Sequence, residues 1–514
     1  MTVTLASRRD FSLANLQRVA IGGESVRFSP AALKAIGKAH DDFQVHVDKN
    51  RGKFIYGVTS GGGPDAKNHR APEEQKKRMS RGMPFAALAF GDDDLPESVV
   101  RGAIFATLAM FIDGTTATHP DRAKLIAGML DKPLPPVPAQ GLTAAGEIMP
   151  LFALYSPTWQ QKVKGYQAGS GNGAPFVSAM GGIAALQARR RLELVEKVFA
   201  LSIEGLAAPL EAYDPALKPL WADPHEGAAL DGLNRWLKGV PRKGRRTYQA
   251  PVSWRILPRV LGQAHRAVAA LEETAAHSIA VTAANPTFVP PRRGLPYGKT
   301  MSTGTYHNAI VPPTLDSVAA SWVDLATLAH RHSVKLHKGE YSLIPDRLLV
   351  PGTDWLSGHS TTYFEYVPNG FVDEMRRLME PSLLSPAEPA ASEQDDISSP
   401  GFAAWRAEAK IARLLDMVLA VLAPVASQAL WVTKRKAPPS LAGFLDEIRQ
   451  LFPVVESTRR LGDDGKRLAD AFSAMVESGS DTLLPSGRAS GRAPGKTPRT
   501  RVATRKRTAG GRTR

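Results

Sequence analysis

No cysteine occurs anywhere in the 514 residues, which excludes disulfides, thiolate metal sites and a cysteine nucleophile. Aromatic residues are scarce at 7%, beside 43% apolar and 22% charged residues, the balance of a soluble globular chain. The apolar run from Ala103 to Ile112 is too short to span a bilayer. Residues Met1 to Arg9 lack the apolar core of a secretory signal, so a cytoplasmic protein with no membrane partner is expected. Regular alternation of β-branched residues is missing, which argues against a major sheet, and no repeat of 20 to 50 residues recurs.

Acidic residues are absent after Asp481, where ten lysines and arginines from Arg488 to Arg514 stand among Gly, Ser, Thr and Pro. Removing those ten from the net charge of +16 leaves +6, so much of the basicity belongs to this tail. Residues 482–514 read as a disordered basic tail with too little apolar content to build a core. It reads as a solubility or assembly tail, with nonspecific nucleic-acid contact through phosphate neutralisation as the functional alternative. No aromatic residue interleaves with the charges to stack on bases.

What is present is helical periodicity. Leu186, Leu194, Val198 and Leu201 form one apolar stripe, within a run extending to about Leu206. Leu261, Ala264, Val268, Leu271, Ala275 and Ile279 form a second, ending before Asn285-Pro286. Ile411, Leu415, Val418 and Leu422 form a third, which proline chemistry predicts to be interrupted near Pro424. Such stripes bury against other helices, so the fold class is mostly α, with long helices bundled. The expected division is a loop-rich N-terminal domain over 1–185 and a helical bundle over 186–475. Gly/Pro-rich loops such as Gly61-Gly62-Gly63-Pro64 separate the elements; this triplet lacks the Gly-Lys-Ser/Thr ending of a phosphate loop. His330, His332 and His337 are close in sequence but lack a supporting carboxylate spacing, so no metal site is expected.

Several short motifs occur in one order along the chain: Tyr56-Gly57-Val58-Thr59-Ser60-Gly61, Pro138-Ala139-Gln140-Gly141, Ala144-Ala145-Gly146-Glu147-Ile148-Met149-Pro150-Leu151, Gly171-Asn172-Gly173-Ala174, Val252-Ser253-Trp254-Arg255, Ala284-Asn285-Pro286, Gly304-Thr305-Tyr306-His307 and Glu393-Gln394-Asp395. Together, from about Val26 to Val432, they resemble the histidine and aromatic amino-acid ammonia-lyases. That resemblance implies an α-helical homotetramer whose active sites draw loops from three subunits. It implies Tyr56 as catalytic base, Arg255 as the carboxylate-holding arginine, and Asn172, Tyr306 and Glu393 as pocket residues. Arg81, in Ser80-Arg81-Gly82, falls near the family's ring-contacting segment, and His307 is a further pocket candidate.

The family's cofactor loop has the form Ala-Ser-Gly-Asp, in which serine loses water to leave an electrophilic methylidene. Here alanine stands at 145 and glutamate at 147. Alanine has no hydroxyl to expel, so no cofactor is expected. Val252 and Ala174 also depart from the family's pattern. Ala489-Ser490-Gly491 spells the missing tripeptide, but inside the basic tail, where nothing compresses a loop into cyclising.

Loss of the electrophile bears on the substrate. A β-proton is weakly acidic and a neutral amine leaves poorly. A permanently cationic betaine on a thione-substituted imidazole relieves both difficulties, and the sequence resembles the cofactor-lacking ergothionase branch, which eliminates trimethylamine from ergothioneine to give thiourocanate. A quaternary ammonium has no N–H to donate, so it needs acids or aromatic faces. Glu393, Glu365 and Asp395 are the candidate acids; Tyr306, Tyr363 and Phe364 are the candidate faces. Alternatives are elimination or isomerisation of another activated amino acid, or a catalytically inactive binding or scaffold protein. Retention of Tyr56, Asn172 and Arg255 argues against the last.

Overall fold

Four long helices share one core because each carries an apolar stripe too wide to leave in water. They are α3 (Pro175–Gly205), α5 (Leu257–Ala280), α6 (Val311–His337) and α7 (Gly401–Val432). In the computed structural model, residues 1–61, 65–79, 88–158, 172–281, 283–390 and 395–484 are described. Before the bundle come α1 (Pro30–Lys49) and α2 (Glu97–Ile112). Around it lie α4 (Pro224–Trp236), α8 (Ala442–Leu451) and α9 (Leu461–Ser478). The described strands form three two-stranded sheets. The first pairs β1 (Thr2–Leu5) with β2 (Ser25–Phe28) in parallel; the others pair β3 (Thr287–Val289) with β4 (Lys299–Met301), and β5 (Ser385–Ala390) with β6 (Asp395–Ser398), both antiparallel. The fold is mostly helical.

The direction of each helix decides what can meet at its ends. Gly181 of α3 lies against Val311 at the start of α6, and Ser202 bonds His332 near the other end of both (2.9 Å), so α3 and α6 run parallel. Val177 touches Gly401 while Gly205 touches Ala426 and Ala429, so α7 is parallel to them as well. α5 runs the other way, with Ser278 bonding Ser178 and Glu272 pairing with Arg189. Three helix N-termini therefore gather at one end of the bundle and three C-termini at the other.

Two expectations meet the structure here. The interruption expected near Pro424 does not occur: α7 continues to Val432 with Pro424 inside it. Proline forfeits one backbone hydrogen bond, but residues on every side of it are buried, and tertiary packing outweighs that local cost. The boundary expected between 185 and 186 falls inside α3, and one core cluster draws on residues from Val3 to Leu483. Among the described residues, α7 is the helix long and apolar enough to cross a membrane. Of its most apolar window 89% is buried within the fold, as in a core helix.

Candidate active site

The site is built at the end of the bundle where the N-termini of α3, α6 and α7 converge. Residues 144–147 arrive there as a tight turn. Gly146 has φ of 61° and Glu147 has φ of 52°, a left-handed pair that glycine adopts freely and glutamate only when held. What holds Glu147 is the start of α3. Its two carboxylate oxygens accept the backbone N–H groups of Phe176 (2.7 Å) and Val177 (2.9 Å). The N-cap of α3 is Ala174, which has no side chain to accept those bonds. Glu147 thus caps a helix from outside it, satisfying two N–H groups that the helix cannot satisfy itself.

Burial pushes the Glu147 carboxyl from its ordinary 4.5 up to about 8, against the pull of those two N–H bonds. Between these values the folded chain holds a proton that the unfolded chain has lost. The group's contribution to stability therefore declines as pH rises across this window. Glu147→Ala is expected to lower stability by about 2–4 kcal/mol, a lost cap plus buried N–H groups left unpaired. It should also remove this component of the pH dependence. Thermal melts from pH 4.5 to 8 test both.

Gly146 joins the turn to its surroundings. Its carbonyl accepts the N–H of Gly173 (2.9 Å). A Cβ added at Gly146 would lie 3.0 Å from Asn172 Cβ and 3.1 Å from the Tyr306 ring, so Ala145-Gly146, Asn172 and Tyr306 form one wall. Asn172 Oδ1 accepts the backbone N–H of Asn285 (2.7 Å), and Asn285 Oδ1 accepts that of Thr303 (2.9 Å). With its oxygen occupied, Asn172 has its amide NH₂ left to donate to a ligand. β6 packs against the 145–147 turn and brings Asp395 to the same place.

Tyr306 links this wall to Tyr56. Burial first, and then the charges of Asp395, Tyr56 and Asp396, hold the Tyr306 phenol above its ordinary value. Tyr306 therefore stays a neutral ring and hydroxyl. Tyr56 itself is half-buried on a turn after α1, where Ile55 and Val58 sink into a small cluster with Phe43, Val47, Ala117 and Phe288. Ile55 accepts three successive N–H bonds, from Val58, Thr59 and Ser60, which fixes the turn that presents Tyr56. The N-termini of α3, α6 and α7 also converge here, but burial outweighs their dipoles at Glu147, Tyr306 and Asp395, each of which is shifted toward its neutral form.

Arg255 stands elsewhere. It is exposed at the end of a short helical turn, Val252–Arg255, and its Nε donates to Ala250 O (3.0 Å). The neighbouring Trp254 is fully buried and stacks on His332 with ring centroids 3.5 Å apart. His332 bonds Ser202, which lies 27 residues along α3 from Pro175. At 1.5 Å per residue, Arg255 is about 40 Å from Asn172 in the same chain. Glu365 shares that far end, 3.8 Å from His337 at the close of α6. Tyr363 is exposed beside it, and Phe364 is buried in the core, where it offers no face to a ligand.

The structure therefore brings together Tyr56, Asn172, Tyr306 and Asp395, and keeps Arg255, Glu365 and Tyr363 away from them. Glu393 and Arg81 lie outside the described residues. His307 is half-buried next to Tyr306, its N–H bonded to Gly304 O (2.9 Å). His332 and His337 are core residues; His337 bonds Ser333 O and Thr361 Oγ1, both at 2.7 Å. The role of Glu147 was not read from sequence beyond its replacement of aspartate. The available signal was a long helix beginning Ala174-Pro175 with no capping side chain. The residues of the turn do not fit a methylidene formed by dehydration, because position 145 carries a methyl group.

The aromatic amino acid lyase family model matches residues 11–157 and 168–450. A histidine ammonia-lyase of Gloeobacter violaceus is 23% identical over 494 residues, covering 89% of this chain and 93% of that protein. Another from Streptomyces griseus is 25% identical over 507 residues, with 91% and 94% covered. Among solved structures, the ergothioneine-degrading ergothionase of Treponema denticola superposes with a TM-score of 0.80 at 17% identity, covering 95% of this chain and 100% of that one. Histidine ammonia-lyase from Trypanosoma cruzi superposes with a TM-score of 0.77 at 17% identity, with 93% and 94% covered. At these identities the superpositions speak to the fold.

Proposed function

The chain belongs to the aromatic amino acid lyase family, and from that premise we propose that it is a carbon–nitrogen lyase working without the family's electrophile. Its substrate on this reading is ergothioneine, and its products are trimethylamine and thiourocanate. The observation that carries the proposal is the alanine at 145, in a turn still fastened to Asn172, Gly173 and the start of α3. The surroundings of the turn persist while its reactive group is gone. The leaving group must therefore bring its own charge.

The steps follow from the groups in place. Tyr56, as phenolate, takes the β-proton. The C–H electron pair becomes the Cα=Cβ bond, and the C–N pair departs with nitrogen as neutral trimethylamine. The thione-imidazole of the substrate spreads the negative charge that develops at Cβ. Tyr306 offers a neutral aromatic face, and Asp395 a carboxylate, to the trimethylammonium group. Asn172 donates from its NH₂. Tyr56 returns its proton to solvent after product leaves.

Arg255 enters only from a second copy of the chain. Its separation of about 40 Å from Asn172 rules out a shared substrate within one chain, which supports a homotetramer with composite sites. The assembly and a cytoplasmic location are part of this proposal, as is loose nucleic-acid contact by the tail. The test is product analysis with ergothioneine, histidine and phenylalanine: trimethylamine from the first and no ammonia from the other two are expected.

A further inference from the structure

The end of the bundle that carries Arg255 also carries a concentration of positive charge which, Arg255 apart, the lyase reading does not use. Sequence sets it up: no acid occurs between Asp231 and Glu272, or between Asp416 and Asp446. The fold then fastens these two stretches together where α3, α4 and α7 end. Arg435 donates to Gly244 O (3.1 Å), and Ser440 to Trp236 O (2.6 Å). Beneath them Glu204, 1% exposed, is gripped by Arg245 and by Arg435 (2.5 Å).

The cations at this end divide into two sets. Arg245, Arg246 and Arg435 are structural: besides Glu204 they bond the carbonyls of Ala208, Tyr341 and Gly244, closing loops over negative helix C-termini. Lys238, Arg242, Lys243, Lys434 and Lys436 are exposed, and among the described residues no carboxylate lies within ion-pair distance of any of them. Complementing helix dipoles does not account for five further unpaired charges, because like charges crowded on one face repel each other. Glu340 and Glu211 are exposed acids on neighbouring segments, and neither pairs with these cations. Two exposed tyrosines flank the charges. Tyr248 has the Arg246 guanidinium 4.0 Å from its ring centre, and Tyr341 has Lys335 at 4.3 Å.

We propose that this face, formed by Lys238, Arg242, Lys243, Lys434 and Lys436 with Tyr248 beside them, binds the phosphodiester backbone of single-stranded nucleic acid. Five unneutralised cations on two loops fastened together gain most from a partner whose charges repeat along a chain, through release of condensed counterions. Each flanking tyrosine has a cation over its ring and remains exposed, so an unpaired base can stack against it, a contact that the paired interior of a duplex and lipid headgroups do not make. Binding is expected to be independent of base sequence, since no group here is arranged to read base edges.

The test uses the full chain in its own assembled state, so that the basic tail is common to every sample. Binding of fluorescent single-stranded and duplex oligonucleotides is measured across a salt series. The protein with all five cations changed to Ala is compared with a control in which Lys34, Lys67, Lys132, Arg376 and Arg460 are changed instead. Losing five phosphate contacts should lower the slope of log affinity against log salt by about 3.5, at ~0.7 per contact on a single strand. Affinity should fall on the order of 10²-fold, with the control unaffected. Tyr248→Ala should weaken single-strand binding about tenfold and leave duplex binding unchanged. Equal slopes for the five-residue variant and wild type would overturn the proposal, leaving the tail as the sole contact. Loss of phosphatidylserine-vesicle binding in that variant, with oligonucleotide binding intact, would overturn it in favour of a membrane. A Tyr248→Ala effect equal on both nucleic-acid forms would remove the single-strand preference.

Discussion

Tyr56→Phe is expected to lower kcat by about 10²–10⁴-fold, the usual contribution of a positioned general base, while KM changes little. The expectation rests on what surrounds the side chain. Ile55 and Val58 anchor the turn in a buried cluster, so removing one hydroxyl leaves the backbone in place. Tyr306 cannot take over, because burial and the nearby charges hold its phenol protonated. Loss of kcat with KM intact separates a missing base from a damaged pocket. Stopped-flow or absorbance assays of the conjugated product measure it, and unchanged turnover would remove Tyr56 from the mechanism.

The second large effect concerns assembly. Arg255→Ala is expected to lower kcat/KM by about 10²-fold, through loss of a charge-assisted clamp on the carboxylate. Alone, each of Tyr56→Phe and Arg255→Ala is close to inactive. Co-expressed with different tags and purified as hybrids, they should recover activity. A site taking Tyr56 from one chain and Arg255 from another is intact in about one quarter of cases under random mixing. If both residues served a site from the same chain, no hybrid would contain an intact site. Absence of recovery would then contradict the inference drawn from the ~40 Å separation along α3.

Sequence carried the fold far because the signals were long. The apolar stripes through Leu194, Leu271 and Leu415 fall on α3, α5 and α7, and family motifs over most of the chain carried the topology with them. The local rule for proline fails at Pro424 because neighbouring elements bury this helix on all sides. The site was legible by residue type, and Asn172, Tyr306 and Asp395 do surround the turn at 145–147. Geometry was not legible. Nothing in the spacing of Val252 to Arg255 says that this turn lies a full helix length from Asn172. That fact depends on α6 running parallel to α3, which is decided by contacts such as Ser202 with His332.

Glu147 illustrates the same limit in another way. As a lone departure from aspartate it reads as a conservative change. In the fold it is the cap of a 31-residue helix, held in a left-handed conformation by two N–H bonds. The structure shows that the helix start at Ala174 has no capping side chain, and only packing reveals which distant residue supplies the cap.

Whether substrate chemistry replaces the lost electrophile is decided by which amine is released from which substrate. Purified protein is incubated in parallel with ergothioneine, histidine and phenylalanine. Trimethylamine, ammonia and the conjugated acrylates are then quantified. Trimethylamine and thiourocanate are expected from ergothioneine, and no ammonia from the other two. Ammonia released from histidine at rates ordinary for a lyase, with ergothioneine left intact, would contradict that expectation.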